Sequence, residues 1–149
     1  MSYEINHQVG IKASREEVFT ALTDVKNLAK WWTIDTRGSG AKVGDTIEFW
    51  FGEFCQKLTV QVLEPGKQIV WKSPKGQGSD EWEDTEVRFD LSSDAKQTLI
   101  QFRHSLWKKN TDFQGHCSTR WAVFLLSLKD LLERGKGRPF PYDLEVHYR

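Results

Sequence analysis

The segment FQGHCSTRWAVFLLSLKDLLER, residues Phe113 to Arg134, is the longest amphipathic stretch of the chain. Its large apolar side chains recur at the 3.6-residue period of an α-helix, and Gly135 follows at the position where such a helix would end. At about 1.5 Å per residue the helix would be roughly 33 Å long, enough to cross a small domain. The apolar stripe that other parts of the chain must cover contains Phe113, Cys117, Trp121, Phe124, Leu125, Leu128, Leu131 and Leu132.

Strands are the predicted partners of this helix. Turn-like links at Glu64–Lys67 (EPGK) and Ser92–Lys96 (SSDAK) fit hairpins between neighbouring strands. The longer segment SPKGQGSDEWEDTE, residues 73–86, is Gly-rich and then acidic, which predicts a solvated loop. The predicted strands, rich in β-branched and aromatic residues, are Thr46–Phe51, Gln56–Leu63, Gln68–Lys72, Thr85–Leu91 and Thr98–Ser105.

The N-terminal part adds one strand and a first short helix. Ser2–Lys12 alternates apolar and polar residues, as a half-buried strand does. The sequence SREE then places Glu17 three residues after Ser14, which is the capping box that opens a helix.

A second short helix is predicted to begin at Asp24. Val25, Leu28 and Trp32 fall at i, i+3 and i+7 and form its buried stripe, so Trp31 is turned away from that stripe. The whole order predicts an α+β fold in which a curved antiparallel sheet of about six strands wraps around the long C-terminal helix, with the two short helices closing one end.

Composition limits the classes of function. The chain has 149 residues with 21 basic and 21 acidic side chains, and this zero formal charge argues against nucleic acid as the main partner. No signal-like segment and no apolar run long enough to span a membrane occurs, so a cytoplasmic protein is expected. Cys55 and Cys117 are too few for a disulfide framework and are predicted to be free thiols. Without repeats or linkers, residues 1–149 are predicted to form one domain.

This order of elements and several motifs resemble the SRPBCC or START-like superfamily, which has the helix-grip fold of the birch-pollen allergen. Within it, the likeness is closest to bacterial homologues of the activator of the heat-shock-protein-90 ATPase, and it covers about residues 3–137. The superfamily contains lipid binders, cyclases, hydrolases and chaperone-associated domains, so the resemblance implies a fold rather than an activity. The matching segments are Ala13–Leu22, Trp31–Trp32, Val43–Asp45 (VGD), Val62–Trp71 (VLEPGKQIVW), His104, Trp121 and Leu131–Gly137 (LLERGKG).

The resemblance implies a ligand cavity between the sheet and the long helix, and strand parity and helix periodicity name the residues that face it. The alternative for each of them is that it only fills the core. His7 and His104 could supply polar groups, or could be structural histidines bonded to core partners. Trp31 is predicted at the cavity mouth with its N–H toward water. The inward-facing candidates are Phe49, Trp71, Phe89, Phe102, Trp121, Phe124, Leu125 and Leu128.

Metal and hydrolytic chemistry have weak support. Cys55, His116 and Cys117 do not share a recognised metal spacing, and the common hydrolase, zinc-protease and phosphate-loop motifs do not occur. We therefore predict no catalytic residue, metal or cofactor, although Glu48 is a conceivable acid or base if its outward side chain has such a role.

The sequence thus favours a binding protein for a small hydrophobic or aromatic molecule. Two alternatives remain open. One is a cyclase- or hydrolase-like enzyme that uses His7, His104 or a water held by them. The other is a chaperone-associated interaction domain, with a chaperone or homodimer contact, although the segment resembles only the C-terminal domain of the activator.

Overall fold

A seven-stranded antiparallel sheet and three α-helices make up the computed structural model, which describes residues 3–146. The sheet order is β1-β7-β6-β5-β4-β3-β2, so the first strand lies beside the last. None of the helices in the described range is long and apolar enough to cross a membrane. The elements are β1 (Tyr3–Ile11), α1 (Arg15–Thr23), α2 (Val25–Trp31), β2 (Asp35–Gly38), β3 (Thr46–Phe51), β4 (Phe54–Glu64), β5 (Gln68–Lys72), a 3-10 turn (Asp80–Trp82), β6 (Glu86–Ser93), β7 (Thr98–Trp107) and α3 (Asp112–Arg134).

The long helix α3 packs most of its apolar stripe into the curved sheet, as predicted, whereas Phe113 at its start is exposed. Trp121, Leu125 and Leu128 are each at most 2% exposed and belong to the central apolar cluster. The Thr111 side chain caps the helix by accepting a hydrogen bond from the Gln114 backbone N–H. Burial along this face fixes the axis of the helix across the sheet.

The first helix begins as the sequence predicts. Ser14 and Glu17 form both bonds of the capping box at the start of α1. Asp24 is both the C-cap of α1 and the N-cap of α2. Its carboxylate accepts a hydrogen bond from the Lys26 backbone N–H at 2.9 Å. The two short helices therefore meet at a fixed corner.

The sheet has one strand more than predicted. β2, at Asp35–Gly38, pairs antiparallel with β3 and forms one edge of the sheet. Its sequence DTRG contains no alternating apolar pattern, because an edge strand with little burial needs none. All six predicted strands and α3 are confirmed, with ends shifted by at most two residues. Ser2, at the start of the first predicted strand, lies outside the described residues.

The C-terminal tail contacts the region that follows α2. The Phe140 backbone N–H donates to the Trp32 carbonyl at 2.7 Å, and the Ile34 N–H donates to the Phe140 carbonyl at 3.1 Å. A Cβ on Gly137 would lie 2.5 Å from the Lys30 carbonyl oxygen, so glycine permits this close approach. The last residues of the tail, 147–149, lie outside the described residues.

Candidate ligand-binding cavity

A cavity of about 380 Å³ lies beside the N-terminal half of α3. Its other walls come from the β3–β4 hairpin, the β5–β6 connection and the end of α2. Phe54 and Phe113 are 46% and 36% exposed and mark the side that opens to solvent. The lining residues are Trp32, Phe51, Phe54, Gln56, Ser79, Trp82, Phe113, His116, Cys117, Arg120, Trp121 and Phe124.

The β5–β6 connection supplies one wall and differs from the predicted solvated loop. Its 3-10 turn buries Trp82, whose ring stacks on Trp121 at 6.0 Å between ring centroids. The Trp82 indole N–H donates to Cys117 Sγ at 3.4 Å. The Thr111 hydroxyl donates to the Glu81 carboxylate at 2.6 Å, which holds the same loop against the start of α3. Burial of Trp82 within this acidic segment therefore makes the loop part of the cavity wall.

Gln56 fixes the same loop from the sheet side. Its amide N–H group donates to Ser73 Oγ at 2.9 Å, and its Oε1 accepts the Ser79 backbone N–H at 2.9 Å. A Cβ at Gly78 would lie 2.1 Å from Gln56 Oε1, so only glycine leaves room for this contact. Gln56 is 2% exposed and is hydrogen-bonded through both ends of its amide, so it holds the β5–β6 connection in place at the cavity.

His104 lies in the core and links the cavity wall to β7. Its Nδ1 accepts the Trp121 indole N–H at 3.1 Å, so the ring carries its proton on Nε2. That Nε2 lies 2.8 Å from Thr85 Oγ1, whose own hydroxyl donates to the Trp82 carbonyl at 2.6 Å. Desolvation by burial lowers the pKa of His104 to about 3. His104 is thus a neutral ring that orients Trp121 directly and Trp82 through Thr85.

Arg120 brings a positive charge to the apolar wall. Its guanidinium lies 5.6 Å from the Phe51 ring centroid and 5.1 Å from that of Phe124. The Nη2 group donates to Asp143 Oδ2 of the C-terminal tail at 3.2 Å. The Phe140 ring lies 5.9 Å from the same guanidinium. Aromatic faces and one carboxylate therefore hold this side chain at the cavity wall.

The predicted cavity residues divide between the wall and the core. Trp121 and Phe124 line the cavity, as their positions on α3 predict. The remaining aromatic and aliphatic candidates are buried in the apolar cluster and do not border the cavity. These buried residues are Phe49, Trp71, Phe89, Phe102, Leu125 and Leu128.

The predicted placement of Trp31 at the mouth is wrong. Trp31 is fully buried, and its indole N–H donates to the Ala21 carbonyl at 2.8 Å rather than to water. Ala21 lies in the last turn of α1, where carbonyls have no partner within the helix, and the indole supplies one. Trp32 is buried as predicted, stacks on Trp31 at 5.8 Å and lines the cavity.

His7 and His104 do not converge on one site. His7 is half-buried on β1, and its Nε2 lies 3.1 Å from the Ser118 carbonyl and 3.3 Å from the Ser118 hydroxyl. It therefore joins β1 to Ser118 of α3, whereas His104 bonds Trp121. Glu48, the conceivable acid or base, accepts the Trp50 indole N–H at 3.0 Å.

Both cysteines are free thiols, and Cys117 borders the cavity beside His116. Burial raises the pKa of Cys117 to about 11, so its sulfur stays protonated near neutral pH. Desolvation also raises the pKa of Cys55. Among residues 3–146, no group of three or more potential ligand side chains could hold a metal ion.

Sequence reasoning missed most of the cavity wall. Phe51, Phe54 and Gln56 lie at the β3–β4 hairpin. Strand alternation predicts which face of the sheet a side chain lies on, but not whether that part of the face borders a cavity or the packed core. Trp82 carried a usable signal, because a lone tryptophan in a Gly-rich and acidic segment has little reason to stay in water. Helix periodicity places Arg120 off the apolar stripe of α3, so its sequence position gives no signal for the cavity.

A curved sheet that grips a long helix beside an aromatic cavity defines a helix-grip protein. A family model described as Activator of Hsp90 ATPase homolog 1-like protein matches residues 12–133, and the chain belongs to this family. No curated protein matches the chain.

Solved structures with the same fold include one of high sequence similarity. The solution structure of the Aha1 dimer from Colwellia psychrerythraea is 47% identical, has a TM-score of 0.83 and covers 91% of this chain and 99% of that chain. A conserved protein of unknown function from Enterococcus faecalis has a TM-score of 0.76 at 20% identity, covering 97% and 78%. A protein from Mesorhizobium loti has a TM-score of 0.78 at 18% identity, covering 89% and 98%. The last two support the fold alone.

Proposed function

We propose that the protein binds a small hydrophobic or aromatic molecule in the cavity beside α3. The observation that carries this proposal is the aromatic lining of a space of about 380 Å³. Small-molecule sites occupy roughly 300–1,000 Å³ and are mostly apolar with a few polar groups. The two free thiols fit a reducing cytoplasm as the compartment.

The expected affinity follows from the area that such a ligand can bury. A two-ring molecule and the facing walls would together bury on the order of 300 Å² of apolar surface, which contributes roughly 7 kcal/mol. Lost translational and rotational freedom offsets part of this gain. Dissociation constants between about 10 μM and the millimolar range are therefore expected for probes that are not the natural ligand.

The direct test is a titration with N-phenyl-1-naphthylamine, a neutral apolar fluorophore whose emission rises when it leaves water. The matched variants are Ser79→Leu, which fills the cavity, and Ser93→Leu, at an exposed position on β6. The Ser79 side chain makes no capping bond, so its replacement removes no capping hydrogen bond of the 3-10 turn. We expect the probe to bind the parent chain and Ser93→Leu alike, and Ser79→Leu at least about tenfold more weakly, because its side chain occupies ligand space.

Two results would count against ligand binding in this cavity. One is absence of saturable probe binding to the parent chain. The other is equal probe affinity in the parent chain and a folded Ser79→Leu variant, which would locate the probe elsewhere.

His104 gives the enzyme alternative little support. Both of its ring nitrogens are engaged, and a pKa of about 3 keeps it unprotonated near neutral pH. A general acid or base works best with a pKa near the operating pH. The geometry therefore favours a positioning role for His104 over proton transfer.

A chaperone-associated contact is the second candidate, favoured by the family and by the Aha1 dimer from C. psychrerythraea. A surface groove between α2 and the tail contains the exposed Ile34 and Tyr142, bordered by Lys30 and Arg138. An apolar centre with a charged border suits a protein partner. The test is the ATPase rate of an Hsp90 chaperone with the parent chain or Ile34→Asp. Stimulation that Ile34→Asp loses supports this role, and an unchanged rate with the parent chain contradicts it.

A further inference from the structure

We propose that the natural ligand of the cavity is an aromatic carboxylate whose anionic head binds Arg120. This inference rests on the proposed ligand-binding function and names the chemical class of the ligand.

The charge distribution of the wall carries the argument. Among the lining residues within the described range, Arg120 has the one permanent charge, and none of them is an aspartate or glutamate. The nearby acid Glu81 accepts the Thr111 hydroxyl, and Asp143 reaches the guanidinium from the C-terminal tail. A ligand inside the cavity therefore meets Arg120, paired with Asp143 of the tail, and no carboxylate among the lining residues, which favours an anionic group over a cationic one.

The geometry of Arg120 favours a carboxylate. A guanidinium carries five N–H donors in a planar fork, and the bond to Asp143 engages one of its nitrogens, Nη2. The side chain is 26% exposed, and the rings of Phe51 and Phe124 lie against its planar group. In an aromatic carboxylate, the carboxylate group can accept hydrogen bonds from the guanidinium while the aromatic ring contacts Phe51 and Phe124.

The salt bridge to Asp143 makes the tail a competitor of the ligand. Asp143 is 11% exposed, so its carboxylate is held at Arg120 rather than in solvent. An entering carboxylate shares the fork with Asp143 or replaces it. Removing the charge of Asp143 should therefore strengthen carboxylate binding, whereas removing the charge of Arg120 should weaken it.

The test compares 2-naphthoate with 2-naphthamide, which have the same ring system and nearly the same size but differ in charge. Affinities are measured by calorimetry for the parent chain, Arg120→Gln, Asp143→Asn and Arg134→Gln. The last is the matched control, since Arg134 pairs with Asp130 on the surface and lines neither this cavity nor the groove beside the tail. We expect the parent chain to prefer naphthoate by about tenfold or more, as a charge-assisted bond provides.

The variants give opposite expected shifts. Arg120→Gln should remove the preference and leave naphthamide affinity nearly unchanged, Asp143→Asn should raise the preference several-fold, and Arg134→Gln should behave like the parent chain. Equal affinities of the two compounds in the parent chain would overturn the proposal, as would a full preference in Arg120→Gln. If Arg120→Gln does not fold, Asp143→Asn decides: a preference no greater than that of the parent chain overturns it. Failure of both compounds and of the neutral fluorophore to bind would instead reject the cavity as a ligand site.

Discussion

At the scale of single residues, His104 determines how the cavity wall is built. Its ring accepts from Trp121 on α3 and bonds Thr85, which in turn bonds the carbonyl of Trp82. One buried imidazole therefore connects a strand, a helix and a loop. Protonation of Nδ1 would place two N–H groups against each other at Trp121, so the neutral form is required by this packing.

This requirement predicts a pH dependence of stability. Burial lowers the pKa of His104 from its usual 6.5 to about 3, so below pH 6.5 the unfolded chain binds a proton that the folded chain excludes. The contribution of His104 is complete above pH 6.5 and declines as the pH falls toward 3. Between pH 7.5 and 4.5, the parent chain should lose about 2.5 kcal/mol more unfolding free energy than His104→Gln.

Urea denaturation at the two pH values measures this difference. Every other titratable side chain is present in both proteins, so its contribution cancels in the comparison. Equal losses of unfolding free energy in the parent chain and in His104→Gln would show that His104 accepts a proton in the folded state.

At the scale of elements, α3 performs two functions with different parts of its length. Its C-terminal half, with Leu125 and Leu128, fills the core against the sheet. Its N-terminal half borders the cavity with Cys117, Arg120 and Trp121. The long helix thus provides stability and a candidate binding surface on one continuous element.

Shortening a buried side chain in the C-terminal half of α3 should show that this half stabilises the fold. Leu125 is 2% exposed, and Leu125→Ala should lower the unfolding free energy by about 2–5 kcal/mol through lost burial and a residual cavity. The adjacent Leu126 is 52% exposed, and Leu126→Ala should change stability by less than about 0.5 kcal/mol. Chemical denaturation checks both. Similar losses in the two variants would mean that the helix is not held along the assigned face.

At the scale of the whole molecule, sequence patterns predicted the elements better than the site. The period of α3 and the alternation of the strands follow from burial on one face, so local sequence predicts them. The burial of Trp31 depends on Ala21 in another helix, and β2 depends on pairing with β3. Contacts of this kind are set by the packing of separate elements, and local periodicity does not encode them.

The position of the cavity likewise depends on the packing of separate elements. Trp82 becomes part of the wall only when its loop docks on Trp121, and Arg120 reaches the cavity although helix periodicity places it off the apolar stripe. The family resemblance implies a cavity between sheet and helix, and in the structure the cavity lies at one end of that interface. The residues around the cavity therefore had to be read from the structure.

The central claim, that a small apolar molecule binds beside the N-terminal half of α3, is tested most directly by the indole N–H signals of the seven tryptophans. A ¹H–¹⁵N NMR titration with N-phenyl-1-naphthylamine should shift the signals of Trp32, Trp82 and Trp121, which line the cavity. The signal of Trp50, which bonds Glu48, should stay unchanged because Trp50 does not line it. Saturable shifts confined to the three cavity tryptophans are the predicted result. Shifts at Trp50 with none at these three, or no shifts at all, would contradict the account.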